Sequence, residues 1–112
     1  MVKKYTPEKG DIVWLDFDPQ AGHEQRGHRP AIVLTGHEYN KKTELALFCP
    51  ITSKSKDYVF EVPVNHDEVS GYILSDQVKS LSWEKRDAKF ITKASDAELQ
   101  TVLRNLKIIL LG

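Results

Sequence analysis

The run Asp11-Ile12-Val13-Trp14-Leu15-Asp16-Phe17 decides how this chain is read. Its side chains alternate as on a β-strand, with Ile12 and Trp14 on one face and Val13, Leu15 and Phe17 on the other. The simplest place for Trp14 is therefore the core, although an aromatic ring here could also stack on a ligand. Working outward, Ala31 to Thr35 reads as a buried strand, and Leu45 to Ile51 as another. Tyr58 to Val64 sets Phe60, Val62 and Val64 on one face, and Pro63 marks that strand as an edge or a bulge because it donates no ladder hydrogen bond. Gly71 to Val78, Ser80 to Trp83 and Lys89 to Thr92 complete the β pattern, and the polar stretch Gly36 to Thr43 has room for one helical turn. The period then changes. Ser95 with Glu98 forms a capping-box signature, and Leu99, Val102, Leu103, Leu106, Ile109 and Leu110 follow at helical spacing. The expectation is a mainly β domain, a small barrel or sandwich, with a C-terminal amphipathic helix over Asp96 to Leu111 packed on the sheet.

Length and composition agree. A chain of 112 residues and 12.8 kDa suits one domain over 1–112, and 40% hydrophobic with 29% charged residues suits a globular protein rather than a disordered one. Sixteen basic and 16 acidic residues cancel, which argues against coating nucleic acid by bulk charge but leaves room for a local cationic groove. The lone Cys49 has no partner for an internal disulfide, cannot build a thiolate zinc site, and reads as a small buried hydrophobe in a reducing compartment. The 4 His residues show no ligand-like spacing, and no phosphate-loop or dinucleotide fingerprint is present, so neither metal nor cofactor is expected. Met1 to Pro7 carries no apolar signal-like run, and no stretch approaches the roughly 18 apolar residues of a membrane span. The expected location is the cytoplasm.

Chemistry concentrates between Asp18 and Pro30, where His23, Glu24, Arg26, His28 and Arg29 stand close together. Such a loop is either a solvated set of ion pairs or an acid–base site aimed at an anion, since arginine offers a planar fork to phosphate or carboxylate. Pro30 drives Arg29 toward an extended conformation at the mouth of a core strand. Thr52, Ser53 and Lys54 end another strand, and Ser75-Asp76-Gln77 interrupts an apolar one ahead of Lys79. The plain alternatives are turn chemistry for Thr52 and Ser53, and a buried structural hydrogen bond for Asp76.

Taken in order, Lys9-Gly10-Asp11-Ile12-Val13-Trp14, Asp18-Pro19, Gly22-His23-Glu24-Gln25, Gly27-His28-Arg29-Pro30-Ala31, Tyr39-Asn40, Pro50-Ile51-Thr52-Ser53 and Asp76-Gln77-Val78-Lys79-Ser80 resemble the MazF/PemK (Kid-like) toxins over nearly the whole chain, most closely the MazF branch. The resemblance implies a compact SH3-like β barrel with a C-terminal helix. It further implies a homodimeric toxin of a toxin–antitoxin pair that cuts single-stranded RNA (mRNA) sequence-selectively without metal, leaving 2′,3′-cyclic phosphate and 5′-hydroxyl ends. The partner it implies is a MazE-like antitoxin whose C-terminal segment blocks the RNA groove. Residue by residue, Arg29, Thr52 and Glu24 match catalytic positions. His23 and Asp76 match positions proposed as catalytic in the Kid branch; that branch also has an arginine where this chain has Leu74, so Asp76 is assigned here to RNA contact or support, and His23 is placed in the same group. Phe17, Arg26, His28, Ser53, Lys54, Lys56, Gln77 and Lys79 are the remaining candidates for holding RNA. Two rival readings stay open: a gyrase-poisoning toxin of the same fold, and a non-catalytic SH3-like module that binds peptides.

Overall fold

The computed structural model describes residues 4–17 and 28–112. Its elements run β1 (Asp11–Asp16), β2 (His28–Val33), α1 (His37–Thr43), β3 (Leu45–Thr52), β4 (Glu61–Asn65), β5 (Ser70–Leu74), β6 (Lys79–Ser82), β7 (Lys89–Lys93) and α2 (Asp96–Leu111). All strand pairs are antiparallel, in the order β4-β5-β3-β2-β1-β7, with β6 also on β3. The long strand β3 is the branch point. One edge pairs with β2, whereas the other pairs first with β6 over Leu45–Phe48 and then with β5 over Ile51 and Thr52. A sheet that forks in this way curls into a half-barrel.

Both faces of the sheet are covered, which is why its central strands read as continuous apolar runs. One face carries Ile12, Ile32, Cys49, Ile51 and Ile73, with Val102 of α2 packed among them. The other carries Val13, Leu15, Ala31, Val33 and Phe48, closed by Trp83. Each such side chain, once fully buried, contributes roughly 1.5–3 kcal/mol. Cys49 is a buried packing residue as expected, and burial pushes its thiol up to about 12. Pro63 lies on β4, an edge strand, where its missing donor costs nothing to a neighbour.

Helix α2 starts where the capping box places it: the Glu98 amide donates to Ser95 Oγ at 3.1 Å, and the Ser95 amide donates to Glu98 Oε1 at 2.9 Å. Leu99, Leu103 and Leu106 pack on the sheet beside Val102. The stripe does not stay there to its end, because Ile109 and Leu110 are 39% and 73% exposed. Helix α1 is longer than a single turn and exists around Asn40, which is fully buried. The Asn40 amide donates to the carbonyls of Pro7 and Thr35, its Oδ1 accepts from the Thr35 hydroxyl, and its own carbonyl accepts from the Trp83 indole at 2.9 Å. Four segments are thereby tied at one polar residue inside the protein.

Gly71 fixes how closely β5 lies on β3. Its φ is +153°, and a Cβ there would stand 2.3 Å from the Thr52 carbonyl oxygen. Only glycine permits this approach, and Thr52 is thereby held at the end of β3 in register with Tyr72.

Candidate functional site

A cleft of about 570 Å³ opens where β2 begins and β3 ends. Arg29 enters from the start of β2, whose register sets it opposite Leu15, while Thr52 comes from the last position of β3. Ser53 and Lys56 follow Thr52 on the connection to β4, and Gln77 comes from the segment after β5. Ile51, Val69 and Leu74 supply an apolar floor. The cleft thus gathers a guanidinium, an ammonium, three hydroxyls (Thr52, Ser53 and Ser70) and a carboxamide, a donor set suited to an anion with several oxygens. Among the described residues, the side chains of Arg29 and Thr52 have no hydrogen-bond partner, and both are accessible to solvent.

Other candidates fall around this cleft rather than in it. His28 stands one residue before Arg29, and its ring lies 6.2 Å from that of Trp14. Lys79 reaches over Phe17, with Nζ 5.9 Å from the ring centre. Lys54 is exposed on the β3–β4 connection. Asp76 is exposed rather than buried, and it accepts a hydrogen bond from the Tyr58 hydroxyl. That bond, followed by burial and the carboxylate charge, raises the Tyr58 phenol above its ordinary value. The buried polar group of this turn is its neighbour Ser75: Asn105 of α2 donates to its Oγ at 3.2 Å, and its amide donates to the Phe60 carbonyl. Strand β5 accordingly stops at Leu74, and the expected continuation to Val78 is replaced by a turn. His23, Glu24 and Arg26 lie outside the described residues.

Two cleft residues had no assigned place in the site. Trp14, expected in the core, is 41% exposed and lines the cleft beside Arg29. It stands on the strand face that alternation gives it, but the described residues leave that face partly open at this end of β1. Glu68, on the β4–β5 connection, contributes a carboxylate. Nothing in its sequence neighbourhood marks it, since only the fold of that hairpin carries it to the cleft. Gly71 did leave a signal, because an isolated glycine at the head of a strand points to a close backbone approach.

The family model described as the PemK-like, MazF-like toxin of type II toxin–antitoxin systems matches residues 8–110. The endoribonuclease toxin MazF of Escherichia coli K12 is 44% identical over 110 residues, covering 98% of this chain and 99% of that protein. The crystal structure of MazF from Deinococcus radiodurans superposes with a TM-score of 0.88 at 44% identity, covering 97% of this chain and 100% of that one. MazF from the MazE–MazF complex of the same organism gives 0.85 at 39% identity, covering 96% and 97%. Among the described residues, no helix is long and apolar enough to cross a membrane. With the sequence matched almost end to end and the fold matched over nearly the whole chain, the chain belongs to the PemK-like, MazF-like family of toxins of type II toxin–antitoxin systems.

Proposed function

We propose that this protein is a toxin endoribonuclease that cuts single-stranded RNA by attack of a ribose 2′-hydroxyl on the adjacent phosphate. The observation that carries this reading is the convergence of Arg29 and Thr52 on one cleft, with neither side chain engaged by another described residue. The names of the relatives, endoribonuclease MazF among them, favour it over a gyrase poison or a peptide-binding module. In the reaction a new bond forms between O2′ and phosphorus while the bond from phosphorus to O5′ breaks. The products are a 2′,3′-cyclic phosphate and a 5′-hydroxyl. A base must take the 2′ proton, an acid must protonate O5′, and fixed donors must hold the charge that grows on the phosphate oxygens. Arg29 and Thr52 serve as those donors. Glu24 is the first candidate for the base, with Arg29 the alternative. Because the nucleophile belongs to the substrate, no metal-activated water is required. Lys54, Lys56 and Lys79 meet neighbouring phosphates, while Phe17, His23, Arg26, His28, Ser53, Asp76 and Gln77 position the strand.

The working unit of this reading is a homodimer. The exposed apolar tail of α2, Ile108 to Leu111, is a surface that a second copy would cover. The inhibitor is an acidic, flexible antitoxin segment that occupies the RNA groove, as the MazE–MazF complexes of relatives suggest. The test is a mapped digest of a long RNA with and without chelator, with the ends analysed chemically. Unchanged cleavage in chelator, with cyclic phosphate at every cut, is the expected result. Loss of cleavage in chelator, or 5′-phosphate ends, overturns the mechanism.

A further inference from the structure

Trp14 and Glu68 are the two cleft residues that phosphate chemistry does not explain. A carboxylate repels phosphate, so Glu68, which lines the same cleft as Arg29 and Lys56, is out of place in a cleft built for the backbone alone. An indole 41% exposed on a strand, with the His28 ring 6.2 Å away, is a flat face of the kind on which unstacked bases settle. The second tryptophan behaves differently: Trp83 is 6% exposed and its indole N–H is bonded to the Asn40 carbonyl. Only Trp14 is therefore presented to a ligand. The cleft volume of about 570 Å³ lies within the range of roughly 300–1,000 Å³ typical of small-molecule sites, enough for one nucleotide.

From this we infer a nucleobase subsite in the cleft, in which Trp14 stacks one base and the Glu68 carboxylate accepts from an exocyclic amino group on its edge. The inference rests on the RNA reading above and adds a preference to it. A base with an amino group, such as cytosine, offers the carboxylate a donor. Uracil has a carbonyl oxygen at the same place and meets the carboxylate as a second acceptor. Glu68 is thus a specificity residue, separate from the groups assigned to proton transfer.

The probes are two uncleavable pentadeoxynucleotides, one of deoxycytidine and one of deoxyuridine, bound to the full chain at a single salt concentration. Calorimetry reports binding, and tryptophan emission reports contact with Trp14. The cytidine oligomer is expected to quench the exposed Trp14 and to bind more tightly than the uridine oligomer. Trp14→Leu should abolish the quench and weaken binding roughly 5- to 150-fold, the range of base–aromatic stacking. Glu68→Gln, whose amide can donate to the uracil oxygen, should reduce the preference for cytidine by about tenfold or more. Three results overturn the subsite: a Trp14 emission that is shielded from acrylamide in the free protein, which assigns it to a subunit interface; an unchanged cytidine preference in Glu68→Gln; or equal loss of RNA cleavage at every base in that variant, which makes Glu68 a proton-transfer group. Failure of the RNA reading looks different. In that case the oligomers still bind with a base preference, but RNA is not cut.

Discussion

The cleft and the opposite end of β1 use similar residues to opposite ends. Where the N-terminal segment meets β1 and β7, Asp11 is 3% exposed and fully engaged. Its Oδ2 accepts from the Tyr5 hydroxyl at 2.5 Å and the Glu8 amide at 3.0 Å, and its Oδ1 accepts from Lys93 at 2.6 Å. Burial, then the bond to Asp11, pushes the Tyr5 phenol up, and the same carboxylate raises the Lys93 ammonium. Every charge there is consumed in holding segments together. In the cleft, the Arg29 and Thr52 side chains form no hydrogen bond or ion pair with another described residue. Polar groups that converge without answering one another add little to folding, and they are the ones available to a ligand. The contrast separates residues that build the protein from residues that act.

The sharpest way to break that contrast is to exchange the outcomes. Arg29→Ala and Thr52→Ala should slow single-turnover cleavage of a short RNA on the order of 10²–10³-fold each, with urea midpoints left near wild type. Arg29→Lys should rescue poorly, because a point charge does not reproduce the fork. If both alanine variants cut at nearly the wild-type rate, the cleft is not the reacting site. Gly71→Ala joins the two regions. Its new Cβ must move either β5 or the Thr52 carbonyl, so stability should fall by about 1–3 kcal/mol and cleavage should fall with it. Cleavage that survives at full rate per folded molecule would show that Thr52 needs no such support.

Asp11→Ala should do the reverse of Arg29→Ala. Losing three hydrogen bonds at a nearly buried carboxylate should cost about 1–3 kcal/mol in a urea titration, with unchanged cleavage per folded molecule. A smaller loss is expected at the head of α2, where Ser95→Ala should cost about 0.5–2 kcal/mol. This end carries a pH signature. Partial burial favours the neutral Glu98 carboxyl, but the bonds from His66 at 2.8 Å and from the Ser95 amide outweigh it, and the carboxyl is held below its ordinary value of 4.5. A carboxyl lowered in the folded state stabilises the protein above pH 4.5, and that contribution is lost as the pH falls from 4.5 through the lowered folded value. His66→Ala should therefore flatten the acid limb of stability below pH 4.5, and an unaltered limb would assign the acid loss to other carboxylates.

What the sequence determined by itself is what short-range chemistry controls. Helix α2 spans Asp96–Leu111 as its cap and period require, because both signals lie within the helix and need no other segment. The strands overlap the apolar runs, although residues 58–60 lie outside β4 and residues 75–78 outside β5; Pro63 marks an edge, and Arg29 and Thr52 sit at strand ends as their flanking residues imply. Strand β2 already departs from the local reading, since pairing with Leu15 and Asp16 extends it back to His28. Only the tertiary structure decided which of these surfaces stay open. Alternation places Trp14 on a face but cannot say whether anything covers that face, and the same limit applies to Ile109 and Leu110 beyond the reach of the sheet. The cleft takes Trp14, Arg29, Thr52, Glu68 and Gln77 from separate segments of the chain. Their meeting depends on the fork at β3 and on the close approach at Gly71, and contacts so distant in sequence leave no local periodicity to read.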